Sequence, residues 1–258
     1  MQNTRMPVMF VGHGNPMNAI EQNEFSQAWV QMGELLPHPK AILCISAHWE
    51  TVGTDITAML QPKTIHDFYG FPRELFALKY PAPGSPELAE DVRSLVKSRD
   101  IQLNEDWGLD HGTWSVLVRM FPQADIPVLQ LSLDRTQSAQ FHYDLGRELK
   151  ALRKQGVLII GSGNIVHNLG MVVWKDTAFD WAQEYDAKVK EWILQDNHEP
   201  IIHYEVYGKP ANLAVNSAEH YEPLLYVLGL KDPGEPVQFF AEKVWGGSIS
   251  MRSVLIGQ

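Results

Sequence analysis

The 258 residues contain one cysteine, Cys44. That excludes a disulfide framework and the structural zinc sites that need two or more thiolates. Long apolar runs are also missing. Nothing approaches the roughly 18 consecutive apolar residues of a membrane span, and the opening Met1-Gln2-Asn3-Thr4-Arg5 lacks the apolar segment of an export signal. The expectation is a cytosolic protein without a membrane association. Basic residues are in the minority, 21 Lys and Arg against 31 Asp and Glu, for a formal net charge of -10. Such a surface repels a phosphate backbone, so no nucleic-acid partner is expected. Linker composition, like-charge blocks and internal repeats are absent too, and residues 1–258 read as a single catalytic-size domain.

What is present is core material: 45% hydrophobic residues, with eight Trp, ten Phe and eight Tyr. Short apolar, β-branched runs alternate with helical patterns, the signature of an α/β fold with a largely parallel sheet. Residues 7–11, 41–45, 126–133 and 157–160 read as strands buried on both faces. Helical stripes are Leu88, Val92, Leu95 and Val96 after Ser85-Pro86, then Phe141, Leu145, Leu149 and Leu152 closed by Gly156, then Trp181, Tyr185, Val189, Trp192 and Ile193. Residues 248–256 read as one last strand returning to the sheet. Residues 61–86 hold Pro62, Gly70, Phe71, Pro72, Tyr80, Pro81 and Pro83, which forbid a long regular element; the segment reads as an ordered, aromatic-rich loop forming a lid or wall.

Three of the strand runs end in small residues followed by a histidine: Gly12-His13-Gly14, Ser46-Ala47-His48, and Gly161-Ser162-Gly163 with His167 beyond. In open α/β sheets ligands bind beyond the carboxyl ends of the strands, so three imidazoles there converge on the usual site. Imidazole is the commonest neutral metal ligand, and a mononuclear centre needs two or three plus an open position. A lone histidine after a strand is more often a loop residue bonded to a carbonyl; three in one topological position point to a site. His111, in Asp110-His111-Gly112-Thr113, and His220, in Glu219-His220-Tyr221-Glu222, each sit where a loop enters a helical run. His66, in the long loop, is a candidate substrate contact. His38, His142, His198 and His203 have no such context and read as surface or structural.

Several chemistries fail on spacing. Gly161-Ser162-Gly163 lacks the residue a nucleophile elbow places between Gly and Ser, and no P-loop lysine motif occurs. His220-Tyr221-Glu222 has the His-x-Glu of zinc deaminases without the cysteine pair that must accompany it. Cys44 precedes His48 by four residues, ~13 Å on a continuing strand, and reads as a buried structural thiol.

Taken together, Gly12-His13-Gly14-Asn15-Pro16-Met17, Ser46-Ala47-His48-Trp49, Thr64-Ile65-His66-Asp67-Phe68, Tyr80-Pro81-Ala82-Pro83-Gly84-Ser85-Pro86, Leu109-Asp110-His111-Gly112, the run from Gly161 to Leu169, Glu219-His220-Tyr221 and Gly247-Ser248-Ile249-Ser250-Met251 resemble one family. It is the class III extradiol ring-cleavage dioxygenases of the LigB type, in the DOPA 4,5-dioxygenase branch. The resemblance runs from about residue 7 to about 256. It implies a three-layer α/β fold with a mostly parallel or mixed central sheet, and one divalent metal per chain that opens a catechol beside its hydroxyls with O₂. His13 and His48 match the family's metal histidines, and His167 and His111 its pocket acid/base histidines. For the third ligand, where better-known relatives use a glutamate, His220 is preferred, with Glu219 or Glu222 as fallback.

Fe²⁺ is the metal expected for activity. An all-histidine set is also tolerant of Zn²⁺, under which His167 is expected to complete a tetrahedral shell. Phe68, Phe71 and Tyr80 are expected beside His66 in the pocket wall. Two other readings compete: a zinc-dependent hydrolase on the same scaffold, and a non-catalytic metal-binding protein resembling the Memo proteins.

Overall fold

The apolar runs form the centre of a mixed sheet. The strands are β1 (Val8–Gly12), β2 (Ala41–Thr51), β3 (Thr54–Thr57), β4 (Ile101–Asn104), β5 (Val128–Asp134), β6 (Val157–Gly163), β7 (Val237–Phe240), β8 (Val244–Trp245), β9 (Ile249–Ser250) and β10 (Ser253–Ile256). Eight of them make one sheet in the order β4-β3-β5-β2-β6-β1-β10-β7. The four expected strands, β5, β2, β6 and β1, are mutually parallel and adjacent. Antiparallel pairing enters through β3 on one side and β10 on the other. The computed structural model describes residues 5–258; the opening Met1–Thr4, read above for its lack of an apolar segment, lies outside the described residues.

The helices are α1 (Glu24–Leu35), α2 (Arg73–Ala77), α3 (Pro86–Leu95), α4 (His111–Met120), α5 (Ala139–Glu148), α6 (Lys150–Lys154), α7 (Asp180–Leu194), α8 (Glu199–Ile202), α9 (Lys209–Ala214) and α10 (Glu222–Leu230). Alternation along the strands sorts them into two layers, because successive side chains leave opposite faces. Val8, Phe10, Leu43, Ile45 and Ile159 pack with Val92, Leu145, Val189 and Leu224 of α3, α5, α7 and α10. Met9, Val11, Ile42, Cys44 and Ile160 pack with Trp29 of α1 and Trp114 and Leu117 of α4. The result is a three-layer α/β architecture. Among the described residues no helix is long and apolar enough to cross a membrane.

Three local expectations are corrected. The strand expected over 41–45 continues to Thr51. Between Ile45 and Glu50 it advances five residues while β5 advances only from Leu131 to Leu133, so the excess chain bulges out of register. The stripe ending at Leu152 is two helices, α5 and α6, meeting at Leu149; Gly156 closes it with φ +90°. The strand expected over 248–256 is also divided. β9 pairs with β8 in a separate ribbon and only β10 enters the main sheet. The break falls where Arg252 turns its guanidinium to Asp186 of α7, at 2.6 Å, and the Ser250 hydroxyl donates to the same carboxylate at 2.5 Å.

Candidate metal and catalytic site

The carboxyl ends of β1, β2 and β6 meet at one cavity of about 1070 Å³, whose wall includes His13, His48, His111, His167 and His220. Five of the histidines singled out in the sequence are thus brought together. His13 follows β1, its backbone N–H donating to Gly163 at the end of β6 at 3.0 Å. His48 lies inside the β2 bulge, which turns it out of the strand register. His111 is the first residue of α4, whose N-cap Asp110 accepts from Thr113 N–H and from the hydroxyl of Ser46 on β2 at 2.7 Å. His220 is carried just ahead of α10, and its carbonyl accepts from Asn164 N–H at 2.8 Å.

Two glycines permit this convergence. A Cβ at Gly112 would lie 2.5 Å from Ser46 Oγ and 2.9 Å from His48 Cδ2, and one at Gly163 would collide with the His220 carbonyl. Any larger residue drives α4 away from β2, or the His220 segment away from β6.

The ring nitrogens are oriented from behind. His13 Nδ1 lies 3.0 Å from Ser162 Oγ, whose own proton goes to the Gly112 carbonyl at 2.6 Å. The hydroxyl therefore accepts from Nδ1–H, which leaves the lone pair of His13 on Nε2. His220 Nδ1–H donates to Glu219 Oε1 at 2.9 Å, with the same consequence for its Nε2. His13 Nε2 and His48 Nε2 stand 3.1 Å apart, and His13, His48 and His220 each offer a ligand atom within 4.8 Å of the others. Converging nitrogen lone pairs in a buried site are the donor set of a divalent cation, and these three residues fit one.

Burial first, with repulsion from neighbouring rings, keeps His13, His48 and His220 neutral, which is the ligating form. His13 and His220 are held well below the ordinary histidine value. Burial and His111 bring His48 down to about 3, and burial brings His167 down to about 4 against the opposing pull of Glu219. His167 stacks on His220, ring centroids 3.4 Å apart and planes 8° from parallel.

Other placements differ from the expectation. His66 is not among the residues lining the cavity; its Nε2 pairs with the Leu78 carbonyl at 3.0 Å, and its ring packs on Phe68, Phe76 and Trp114. Tyr80 is buried behind the wall with its hydroxyl on the Phe121 carbonyl, whereas Phe68 and Phe71 do line the cavity. Glu222 turns towards His142 at 3.4 Å, and Glu219 backs His220. Sequence reasoning missed Asp67: its carboxylate accepts from both the backbone N–H and Nδ1–H of His111 at 2.9 Å, and lies 3.5 Å from His48 Nδ1. The signal was its place beside His66 in the aromatic loop, read there only as part of a motif. Cys44 is buried as expected and accepts a hydrogen bond from Thr113.

Residues 7–244 match the family described as the catalytic LigB subunit of aromatic ring-opening dioxygenase. The chain belongs to the LigB family. Over all of this chain and 97% of the relative, it is 45% identical to the 4,5-DOPA dioxygenase extradiol of Escherichia coli K12. It is 36% identical to the protein of the same name from Beta vulgaris, over 95% of this chain and 94% of that one. A crystal structure of an uncharacterized Escherichia coli K12 protein superposes with a TM-score of 0.83 at 40% identity, covering 98% of this chain and 100% of that one. This LigB-family chain is an enzyme, an extradiol dioxygenase by class.

Proposed function

We propose that this LigB-family enzyme, as one catalytic domain, cleaves a catechol ring beside its hydroxyls with O₂, and that DOPA, opened at the 4,5 position to a semialdehyde, is its substrate. The observation that carries the reading is the convergence of five imidazoles on one cavity, four of them, His13, His48, His167 and His220, held neutral chiefly by burial. The DOPA assignment rests on the names of the relatives. His13, His48 and His220 are the proposed ligands, with Fe²⁺ as the active metal. When bound, the ion would supply the Lewis acidity that a catecholate needs and bring substrate and O₂ together.

The chain's own groups do the rest. A phenol gives up its proton only near pH ~10, so cleavage at neutral pH needs a base at the substrate. His167, neutral and half-buried, takes the proton of a catechol hydroxyl on a ring nitrogen. His111 offers its Nε2 lone pair on the other side, because its Nδ1–H is committed to Asp67. The two rings then hold and return protons as the product forms. Phe68, Phe71, Trp245 and Ile249 supply an apolar wall that seats an aromatic ring and displaces water. The cavity exceeds what a bare catechol needs, leaving room for an amino-acid side chain.

The test is to strip the metal, reconstitute anaerobically with Fe²⁺ or Zn²⁺, add L-DOPA, and follow O₂ uptake with the absorbance of the ring-opened product. Iron-dependent uptake with a yellow product is expected. The all-histidine donor set also suits Zn²⁺. Activity towards a hydrolysable substrate with zinc, independent of O₂, would favour the hydrolase reading; failure of every catechol to bind would favour a Memo-like role.

A further inference from the structure

We propose that Asp67 is a positioning residue that sets the tautomers of two histidines at once, His111 on the acid/base side and His48 on the metal side. The carboxylate comes from the long loop and clasps the start of α4. Oδ1 accepts from the backbone N–H of His111 and Oδ2 from its Nδ1–H, each at 2.9 Å, while Oδ2 stands 3.5 Å from His48 Nδ1. An ionised carboxylate only accepts hydrogen bonds, so His111 presents Nδ1–H to it, and at 3.5 Å the same negative charge favours N–H over a lone pair on His48 Nδ1. A neutral imidazole has one N–H. Both rings therefore carry their lone pair on Nε2, away from Asp67. For His48 that nitrogen is the one 3.1 Å from His13 Nε2. A carboxylate behind a ligating histidine fixes the ring and strengthens the ligand.

The loop that delivers Asp67 also delivers the wall. Phe68 packs its ring on His111 at 5.5 Å between centroids and on Trp114 at 6.1 Å. Seating the aromatic wall and setting the two tautomers are thus one structural event. The His48 half rests on the metal reading proposed above; the His111 half does not.

Asp67→Asn separates the two functions of this side chain. The backbone N–H of His111 is a permanent donor, so it keeps the amide oxygen. The amide NH₂ is then left facing Nδ1, which must become an acceptor, and the ring proton moves to Nε2. Long-range ¹H–¹⁵N correlation spectra of metal-free protein read this directly, with the His111 signals identified by their loss in His111→Gln. The expected result is the Nδ1–H form in the parent and in Asp67→Glu, and the Nε2–H form in Asp67→Asn, with unchanged circular dichroism. Zn²⁺ affinity, measured by competition with a chromophoric chelator, should fall roughly 10–100-fold in Asp67→Asn. An unchanged tautomer in Asp67→Asn, or the Nε2–H form in Asp67→Glu as well, overturns the His111 assignment. Unchanged Zn²⁺ affinity overturns the His48 assignment. The tautomer is read without metal, catechol or O₂, so a negative ring-opening assay leaves it standing.

Discussion

His167 lies flat against His220, with its value brought down to about 4 chiefly by burial. A protonated imidazole there would stack on a ring proposed to ligate a divalent cation, which adds repulsion to the burial cost. The resting form is therefore the neutral base, and its proton comes from the substrate. Removing that base should cost a factor of roughly 10²–10⁴ in turnover. His167→Ala is accordingly expected to lower kcat by that factor in O₂-uptake assays while metal content per chain, measured by atomic absorption, stays at the parent value. A parallel loss of metal would make His167 a ligand instead, and unchanged turnover would remove it from the chemistry. His220→Ala should show the opposite division, with metal content falling first, because its Nδ1–H is already committed to Glu219 and its remaining nitrogen faces His13 and His48.

At the level of elements, the site depends on how closely the start of α4 approaches the bulge of β2. Gly112 sits at that approach, where a methyl group would fall 2.5 Å from Ser46 Oγ and 2.9 Å from His48 Cδ2. Neither neighbour can retreat, since Ser46 is tied to Asp110 and His48 is held by the bulge. Gly112→Ala should therefore separate α4 from β2 by a few tenths of an ångström or more and lower kcat/KM at least tenfold, with the far-UV spectrum of the parent; parental kinetics would show that the approach is not needed. The same elements explain what was legible beforehand. β1 and β6 open as continuous apolar runs buried on both faces, and their ends announced His13 and His167. The start of α3 was legible in Ser85-Pro86 because a side-chain oxygen three residues ahead of an N–H is a local event. The continuation of β2 was not, because a bulge is decided by the neighbour β5. Nor was the division of the last strand, which depends on Asp186, 66 residues away from Arg252. Asp67 escaped for the same reason: its partner is His111, 44 residues on.

Taken as a whole, the molecule keeps a store of buried neutral histidines, and that gives its stability a definite pH dependence. His48 is brought to about 3, His167 and His142 to about 4, and His13 and His220 also lie well below the ordinary 6.5, in each case first through burial. The unfolded chain takes up protons at these rings below about 6.5 while the folded chain does not, so stability is full above that value and is lost as pH falls towards 4 and 3. Each such ring contributes a slope of about 1.4 kcal/mol per pH unit inside that window. Glu222 acts with the opposite sign: burial raises it from 4.5 to about 8, so its contribution is lost as pH rises between those values. Burial raises Glu50 and Asp110 in the same direction, against five rings of the other sign. Acidification also reduces the net charge of -10 and relieves self-repulsion, which again favours the folded state at lower pH. Carboxylates held low by their partners, such as Asp232 and Glu235, lose their contribution only near and below their ordinary values of about 4, so a melting temperature that falls between pH 6.5 and about 5 reports the histidines. Metal-free protein scanned in steps from pH 7.5 to 4.5 should melt progressively lower below 6.5, and a saturating divalent cation should raise the melting temperature most near pH 7.5, because ligation needs the same neutral rings. A melting temperature that is flat or rising as pH falls from 6.5 to 4.5 would mean that these imidazoles are not held neutral by the fold, and the lone-pair geometry on which the metal site rests would go with them.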